Sequence, residues 1–295
     1  MHRIPPFVPF VLSIALLLLG SAPHATAQDA GRVLPLGGSV TEIVYALGAG
    51  DRVVGVDASS VYPEAATEQP DVGYYRQLSA EGVLSLNPDL ILALEGAGPP
   101  PVISQLRSAA VRVETIPDTP TVDGARQKIR RVAGLLGQAD AGADLIAAME
   151  RELEAARALR EEARTTPRVL FIYARGSGTM NVAGAGTSAH TMIELAGGEN
   201  VLTDVEGFVP LTAEAVVEAA PDVILMLTRG LDSVGGVEAV LQQPGLGLTP
   251  AGENERVVAM DDLLLLGFGP RLGTAVRTLA EKLHPELTSA SASAE

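Results

Sequence analysis

The sequence predicts an α/β protein of two Rossmann-like lobes, each with a parallel sheet, joined by one long bridging α-helix, with a ligand cleft between the lobes. Three observations lead to this prediction. Short apolar runs alternate with helical patterns in both halves of the chain, one longer pattern occurs in each half, and an amphipathic segment separates the halves. Alternation of strands and helices is typical of parallel α/β folds.

The apolar runs have the length of buried strands. They occupy residues 33–36, 53–56 and 90–94 in the first half and residues 169–173, 223–227 and 257–260 in the second half. Behind the first run, Ser39 and Glu42 have the spacing of a capping box, which predicts the start of the first helix.

An internal repeat relates the two halves. The segment LSAEGVLSLNPDLILAL at residues 78–94 aligns without a gap with LTAEAVVEAAPDVILML at residues 211–227. A fixed succession of helical pattern, Pro-Asp turn and apolar run in each half predicts the same helix, turn and buried strand in each lobe.

The segment between the halves predicts the bridging helix over residues 140–165. It contains no proline, and it places Ile146, Met149, Leu153 and Ala156 on one helical face. A helix of roughly 24 residues is about 36 Å long, enough to run along two small lobes. The lobes are then residues 28–139 and 166–287, and the interface between them is where a small-molecule site is expected.

The first residues predict export. Arg3 precedes an apolar run over residues 7–19, and Ala25 and Ala27 have the spacing that signal peptidase accepts, so residues 1–27 are interpreted as a signal peptide cleaved after Ala27. The alternative is an uncleaved membrane anchor, but the run is shorter than the roughly 20 residues of a spanning helix. We expect a periplasmic chain that is not embedded in the membrane. Residues 288–295 are expected to be a disordered tail.

Composition excludes several functions. The formal net charge of −15 makes nucleic acid an unsuitable partner. The chain has no cysteine, which excludes a disulfide framework, a thiolate metal site and a lipid attached to cysteine. An acidic chain that binds an anionic ligand needs its few basic residues at the site, so arginines in loops are candidates. We expect a monomer.

Three segments carry a resemblance to a known family. They lie at residues 38–48, 72–82 and 261–271, with the sequences GSVTEIVYALG, VGYYRQLSAEG and DDLLLLGFGPR. The chain resembles the cluster-A substrate-binding proteins of ABC importers, and within them the haem-binding branch. The resemblance implies a periplasmic carrier that holds haem b as its transported ligand and delivers it to the permease.

The second of these segments implies the iron ligand. In the haem-binding branch a Gly-Tyr-x-Arg segment supplies the tyrosine that binds haem iron, and the matching residues are Gly73, Tyr74 and Arg76. Ferric iron suits phenolate oxygen, and Arg76 would favour the phenolate over the phenol. The alternatives are that Tyr75 is the ligand, or that both tyrosines are ordinary aromatics of a surface loop.

Further haem contacts follow from the same resemblance. Some relatives have a histidine where this chain has Arg175, which cannot bind iron but can pair with a propionate, so one haem per chain is expected. Arg271 is a second propionate candidate, with a helix-end salt bridge as the alternative. Met180 is a candidate for the porphyrin face, with loop packing as the alternative. His284 is predicted to face solvent, and His190 to lie in the first turn of a helix beginning near Thr187.

Glu81 and Glu214 occupy equivalent positions of the repeat. They resemble the carboxylates that dock on arginines of the importer permease, and paired charges at matched positions can orient two proteins. The alternative is that both are ordinary exposed residues at helix starts.

Other function classes have weaker support. The sequence contains no Gly-x-Ser-x-Gly elbow, P-loop, HExxH segment or cysteine site, so a carrier is predicted and not an enzyme. The closer alternative is a binding protein for cobalamin or a ferric siderophore, because one two-lobed fold serves several ligands.

Overall fold

The structure is a computed structural model that describes residues 31–176 and 180–287. The predicted signal peptide at residues 1–27 and the predicted tail at residues 288–295 lie outside this range, so both stay predictions. Within the described ranges, no helix combines the length and the apolar character needed to cross a membrane.

The first lobe contains a three-stranded sheet in the order β1-β2-β3, and all its strands are parallel. Its elements are β1 (Val33–Leu36), α1 (Gly38–Ala46), α2 (Glu64–Thr67), α3 (Ala80–Ser85), β2 (Leu90–Leu94), α4 (Pro100–Ser108), β3 (Arg112–Ile116) and α5 (Val122–Leu135). The apolar run at residues 53–56 does not form a strand: Val53 and Val56 make only single bridges, to Val33 and Asp71.

A single long helix, α6 (Ala139–Glu161), follows and packs against α5. The contact is close because Gly142 carries no side chain: a Cβ there would lie 2.4 Å from the Cβ of Ala133. The helix ends four residues before the predicted residue 165. Pro167 disfavours helical geometry at Thr166, and Thr165 and Thr166 are β-branched, so the chain leaves the helix early. The predicted lobe boundaries stay predictions.

The second lobe contains a six-stranded sheet in which β7, β5, β4, β8 and β9 are neighbours and β6 also pairs with β4. Its elements are β4 (Arg168–Tyr173), β5 (Asn181–Ala183), α7 (Ser188–Leu195), β6 (Glu199–Asn200), β7 (Phe208–Pro210), α8 (Ala213–Ala219), β8 (Val223–Leu227), α9 (Thr228–Ser233), α10 (Val237–Leu241), α11 (Pro250–Glu253), β9 (Val257–Met260), α12 (Asp262–Leu266) and α13 (Leu272–Leu283).

The predicted fold class is confirmed, with one addition. Strands β4, β6, β8 and β9 pair in parallel, but β5 is antiparallel to both β4 and β7. The glycine-rich segment at residues 176–186, which we interpreted as a loop, therefore contains a strand of a mixed sheet, β5, which lies between β4 and β7.

The internal repeat forms the same structure in both lobes. Helix α3 and strand β2 occupy the positions that α8 and β8 occupy in the second copy. Both helices are capped by a hydroxyl side chain: Ser79 accepts a hydrogen bond from the N–H of Gly82, and Thr212 accepts one from the N–H of Ala215.

The Pro-Asp turn has the same structural role in each copy. Asp89 accepts a hydrogen bond from the backbone N–H of Arg32 at 2.9 Å, and Asp222 accepts one from the backbone N–H of Arg168 at 2.9 Å. In each lobe the aspartate thus links the start of the repeat strand, β2 or β8, to the start of the neighbouring strand, β1 or β4. The aspartate side chain thereby accepts a hydrogen bond from a backbone N–H at the end of that strand.

The two lobes share a continuous hydrophobic core. Alternate residues of β4 face opposite sides of the sheet, so Val169 and Phe171 join the core that extends through α6 into the first lobe, while Leu170 and Ile172 pack into a separate cluster. Helix α13 packs along α6, where a Cβ on Gly273 would lie 2.4 Å from the Cβ of Glu152. The bridging helix is therefore packed against both lobes.

Two cations, the half-buried Arg271 and the buried Lys128, also join the lobes. Arg271 donates to both carboxylate oxygens of Glu42, at 3.0 and 2.9 Å, and Glu42 is 4% exposed. Lys128 is fully buried and donates to Asp118 at 2.6 Å, to Ser39 at 3.2 Å and to the carbonyl oxygen of Gly267 in the second lobe at 3.0 Å.

The capping-box prediction was therefore wrong. Helix α1 begins at Gly38, and Gly37 at its N-cap position contributes no side-chain hydrogen bond. Ser39 instead accepts a hydrogen bond from Lys128, and Glu42 pairs with Arg271. Both side chains face the second lobe and are removed from water. A buried carboxylate has to be paired, and Arg271 provides that pairing.

Candidate functional site

A cleft of about 690 Å³ lies between the lobes. Its volume is within the range of about 300–1,000 Å³ that small-molecule sites occupy. The first lobe contributes Ala58, Ser59, Val61, Tyr74, Tyr75 and Arg76, and the second contributes Tyr173, Arg175, Asn181, Phe208, Leu227, Arg229, Asp262, Leu263, Leu266 and Gly267.

The wall from the first lobe is organised by Asp57, which the sequence analysis did not single out. Its buried carboxylate accepts hydrogen bonds from the N–H of Gly37 at 2.8 Å, from the hydroxyls of Ser59 and Ser60 at 2.7 and 2.9 Å, and from the N–H of Tyr75 at 3.4 Å. One side chain thereby joins the start of α1, the 58–60 loop and the tyrosine segment, and fixes their relative positions.

Tyr74, Tyr75 and Arg76 form one cluster on this wall. The two rings meet edge to face with their centroids 5.0 Å apart, and the Arg76 guanidinium lies 4.9 Å from the centre of the Tyr75 ring. Arg76 also interacts with both phenol oxygens. Gly96 makes room for it, since a Cβ there would lie 2.5 Å from an Arg76 nitrogen.

The two tyrosines differ in their suitability as oxygen ligands. Burial raises the pKa of Tyr75 to about 12, the neighbouring Tyr74 and Asp118 act in the same direction, and Arg76 opposes them. The Tyr75 ring is 8% exposed and packs in the core, whereas Tyr74 is only partly buried. A phenolate is thus strongly disfavoured at Tyr75, and Tyr74 is the more accessible phenol of the pair.

The wall from the second lobe is aromatic and basic. The Phe208 ring is half exposed and meets the Tyr173 ring edge to face at 5.9 Å. The Arg175 guanidinium lies 5.6 Å from the centre of the Tyr173 ring, at the end of β4. Sequence analysis identified Arg175 but neither aromatic residue, because the pairing of β5 with β7 that brings Phe208 here is not visible in the sequence pattern.

Arg229 and Asp262 are two further charged residues that sequence analysis missed. Both follow strands of the second sheet: Arg229 is two residues beyond β8, and Asp262 is two residues beyond β9. The carboxyl ends of adjacent parallel strands are a common position for ligand sites, so this placement was the available signal. In the other copy of the repeat, the position of Arg229 is occupied by Gly96, which accommodates Arg76.

The cleft has a charge opposite to that of the whole chain. The charged side chains that line it are Arg76, Arg175, Arg229 and Asp262, whereas the chain carries a formal net charge of −15. Apolar side chains, including Phe208, line much of the rest. Such a surface suits a ligand that is largely apolar and carries anionic groups, and Tyr74 offers it a phenol oxygen beside a guanidinium. In the described residues, no cluster of three or more histidines and carboxylates suits a metal ion.

Arg271 and Met180 do not line this cleft. The guanidinium of Arg271 is held by Glu42, lies 3.6 Å from the centre of the Tyr62 ring and borders a separate pocket of about 390 Å³. Met180 packs against the core of the second lobe, and its carbonyl oxygen accepts a hydrogen bond from the N–H of Leu211. Arg271 is thus held in an ion pair and Met180 is packed in the second lobe, and their roles towards a ligand stay predictions.

Neither histidine of the described chain lines the cleft. His190 lies in the first turn of α7, where the Thr187 side chain caps the helix as expected, and its Nδ1 lies 3.3 Å from the Asn200 amide nitrogen. The prediction that His284 faces solvent was wrong. Its side chain is fully buried at the C-terminal end of α13, because it lies beside Gly197, whose missing side chain leaves room for the ring.

Glu81 and Glu214 are both exposed, and each lies in the first turn of its helix, α3 or α8. The structure thus places them at equivalent positions of the two lobes. Their surroundings do not distinguish docking residues from ordinary helix starts.

Comparison with known proteins identifies the family. The sequence profile of the periplasmic binding protein family matches residues 33–264. The chain therefore belongs to this family. It is 32% identical over 266 residues to the uncharacterized ABC transporter substrate-binding lipoprotein YvrC of Bacillus subtilis, covering 88% of this chain and 82% of YvrC. It is 32% identical over 215 residues to the vitamin B12-binding protein of Yersinia pseudotuberculosis, covering 72% and 75% of the two chains.

Among solved structures, periplasmic heme-binding proteins are similar to this chain. The periplasmic heme-binding protein RhuT from Roseiflexus sp. RS-1 has 46% sequence identity and a TM-score of 0.85, covering 88% of this chain and 99% of RhuT. A periplasmic heme-binding protein from Pseudomonas aeruginosa has 34% identity and a TM-score of 0.82, covering 87% and 93% of the two chains. The resemblance to substrate-binding proteins of ABC importers, and to their haem-binding branch, is confirmed.

Proposed function

We propose that this protein binds haem b in the interlobe cleft and delivers it to the permease of an ABC importer. The observation that carries the proposal is the placement of an accessible phenol, Tyr74, in a partly apolar cleft with three arginines. Haem requires this combination: a ligand for ferric iron, apolar contacts for the porphyrin and cations for two propionates. The similarity to solved haem-binding proteins supports the same ligand.

Each cleft residue has a role in this proposal. Tyr74 binds the iron through its phenolate oxygen, and Arg76 stabilises that phenolate by its charge. Arg175 and Arg229 pair with the propionates. Arg229 thus takes the place of Arg271, which the sequence analysis named as a propionate candidate. Phe208 and Leu263 contact the porphyrin. One haem per chain fills the site.

The alternative of cobalamin or a ferric siderophore has less support. Relatives in the family include vitamin B12-binding proteins, but their identity to this chain is 32%, against 46% for RhuT. A phenol beside an arginine can supply an axial ligand to ferric porphyrin iron, whose ring fills only the four equatorial positions, whereas the cobalt of cobalamin already carries axial ligands of its own. The protein is thus proposed as a periplasmic monomeric carrier without catalytic activity.

Titration with hemin tests the proposal. The purified protein lacking residues 1–27 is expected to bind one equivalent of hemin and to give a sharp Soret band with the visible bands of a tyrosinate-bound ferric haem. Cyanocobalamin and ferric siderophores, added to the same concentration, should neither bind measurably nor displace hemin. An endpoint of two hemin equivalents would contradict the proposed stoichiometry, and preferential binding of cyanocobalamin would contradict the ligand.

Docking on the permease is proposed to use Glu81 and Glu214. The two carboxylates are exposed, and they lie at matched positions on the two lobes, so a permease with paired basic residues can engage both at once. Electrostatic pairs of this kind fix the orientation of two partners.

Charge reversal at both positions tests the docking. The double variant Glu81→Lys, Glu214→Lys should lower haem uptake by cells that depend on this importer by about tenfold or more, since like charges at an interface oppose association. Hemin affinity in solution should stay unchanged. The matched control is Glu68→Lys, Glu218→Lys, which makes the same charge change at two other exposed glutamates. Equal uptake by the two double variants would remove the docking proposal.

A further inference from the structure

Asp262 is the one carboxylate among the residues that line the cleft. It is the first residue of α12, but it does not cap the helix: that role belongs to Asp261, whose side chain accepts a hydrogen bond from the N–H of Leu264 at 2.9 Å. The structure of the helix start therefore does not require a negative charge at residue 262. A carboxylate in a cleft suited to an anionic ligand needs another explanation.

The surroundings of Asp262 combine burial with nearby cations. Its Oδ1 atom is buried and has no hydrogen-bond partner among the residues that the structure describes. Arg229 and Arg175, the two cations of the same wall, both interact with the carboxylate by charge, and the backbone N–H of Arg229 is directed towards it. The aspartate thus lies in the field of the two guanidiniums proposed to hold the ligand's carboxylates.

This environment disfavours the ionised form even in the empty cleft. Burial raises the pKa of Asp262, and the charge of Asp261 acts in the same direction. The backbone N–H of Arg229 and the charges of Arg229 and Arg175 oppose the increase. The backbone N–H and the two guanidinium charges thus favour the ionised carboxylate, and an anion that pairs with the arginines weakens the part of this support that comes from their charges.

We propose that Asp262 is an internal counter-ion of Arg175 and Arg229 that competes with the ligand's carboxylates, so that loading of the cleft is coupled to protonation of the Asp262 side chain. This inference rests on the proposed function, since it takes the ligand to be a porphyrin with two propionates. Asp262 then makes the affinity for the ligand depend on pH. A ligand binds tightly only when its carboxylates replace Asp262 as the partners of the two arginines.

The direction of the effect follows from the charges. A bound ligand brings two further negative charges to the arginines and excludes water, and both changes raise the pKa of Asp262 above its value in the empty cleft. The complex therefore binds more protons at this residue than the free protein does. Affinity increases as pH falls through the interval between the two pKa values, and it is lowest at higher pH, where the carboxylate stays ionised.

The test compares hemin affinity of the wild-type protein and Asp262→Asn between about pH 8 and about pH 5, where a raised carboxyl pKa is visible. The variant should bind hemin about tenfold more tightly at the upper end, which corresponds to one pKa unit of like-charge interaction, and it should lose that part of the pH dependence. Proton release by Tyr74 contributes equally to both proteins, so the difference between them isolates residue 262.

Two controls complete the experiment. Asp144→Asn makes the same change at an exposed carboxylate of α6 that does not line the cleft, so it should leave hemin affinity and its pH dependence close to those of the wild type. Hemin dimethyl ester, which lacks the two carboxylates, should show a smaller difference in affinity between the wild type and Asp262→Asn than hemin does, because only the exclusion of water then acts on the carboxylate. Circular dichroism and the thermal midpoint verify that the amide variant is folded.

The outcomes separate the two proposals. If the wild type binds hemin and Asp262→Asn has the same affinity and the same pH profile, the counter-ion role is wrong while the proposed function stands. If Asp262→Asn binds hemin more weakly, the carboxylate contributes to binding, and the inference is overturned. If the wild type does not bind hemin at all, both proposals fail.

Discussion

Replacement of Tyr74 by phenylalanine is expected to weaken hemin binding by about a hundredfold or more. Residues that only support a metal ligand typically contribute about 10–100-fold to metal affinity, so loss of the ligand itself should reach at least the upper end. The tyrosinate bands should disappear from the visible spectrum and the Soret band should shift. Equilibrium titration and absorption spectra of the purified variant measure both effects.

Tyr75→Phe is the matched control, because it removes the same hydroxyl from the adjacent residue. Burial raises the pKa of Tyr75 to about 12, so this phenol is not expected to supply a phenolate near neutral pH. Its replacement should leave the tyrosinate spectrum in place and change the affinity far less. The opposite pattern, with the spectrum lost in Tyr75→Phe and kept in Tyr74→Phe, would assign the iron to the other ring.

Replacement of Arg271 by methionine is expected to lower the free energy of unfolding by about 3–5 kcal/mol, the range found when one partner of a buried ion pair is removed. Glu42 is 4% exposed and accepts two hydrogen bonds from the Arg271 side chain, so the variant leaves a buried carboxylate without its cation. The hemin spectrum should be retained, because Arg271 does not line the cleft. Urea denaturation of the unliganded protein measures the change.

Two comparison variants show whether the loss comes from the unpaired carboxylate. Arg277→Met, on the same helix, removes an exposed and longer ion pair with Glu152 and should change the free energy of unfolding by less than about 1 kcal/mol. The double variant Glu42→Leu, Arg271→Met removes both charges and should regain more than half of the loss, because an apolar pair often replaces a buried ion pair without penalty. A double variant no more stable than Arg271→Met would contradict this explanation.

The features that sequence analysis predicted are those encoded by neighbouring residues. The repeat at residues 78–94 and 211–227, the long helix and the start of α7 near Thr187 are all local patterns, and each has the expected structure. Tyr74, Arg76 and Arg175 line the cleft because they lie in loops beside the lobe interface. Their roles towards a ligand came from family resemblance and not from any local pattern.

The features that it missed depend on contacts between distant residues. Glu42 and Arg271 are 229 positions apart, and nothing near Glu42 distinguishes a partner of a distant arginine from a member of a capping box. Arg229 and Asp262 follow two strands whose adjacency is known only from the sheet order. His284 is buried beside Gly197, a residue 87 positions earlier in the chain, where a local pattern predicted solvent.

The ion pairs behind the cleft also determine how the protein can recognise its ligand. Hinging the lobes apart would separate Arg271 from the buried carboxylate of Glu42. It would also break the hydrogen bond from Lys128 to Gly267, although Lys128 would keep Asp118 and Ser39 within the first lobe. Removing one partner of a buried ion pair costs about 3–5 kcal/mol, a large share of the about 5–15 kcal/mol by which many domains are stable. Both contacts therefore oppose a change in the width of the opening, so a ligand is selected mainly by its fit to a shape already present.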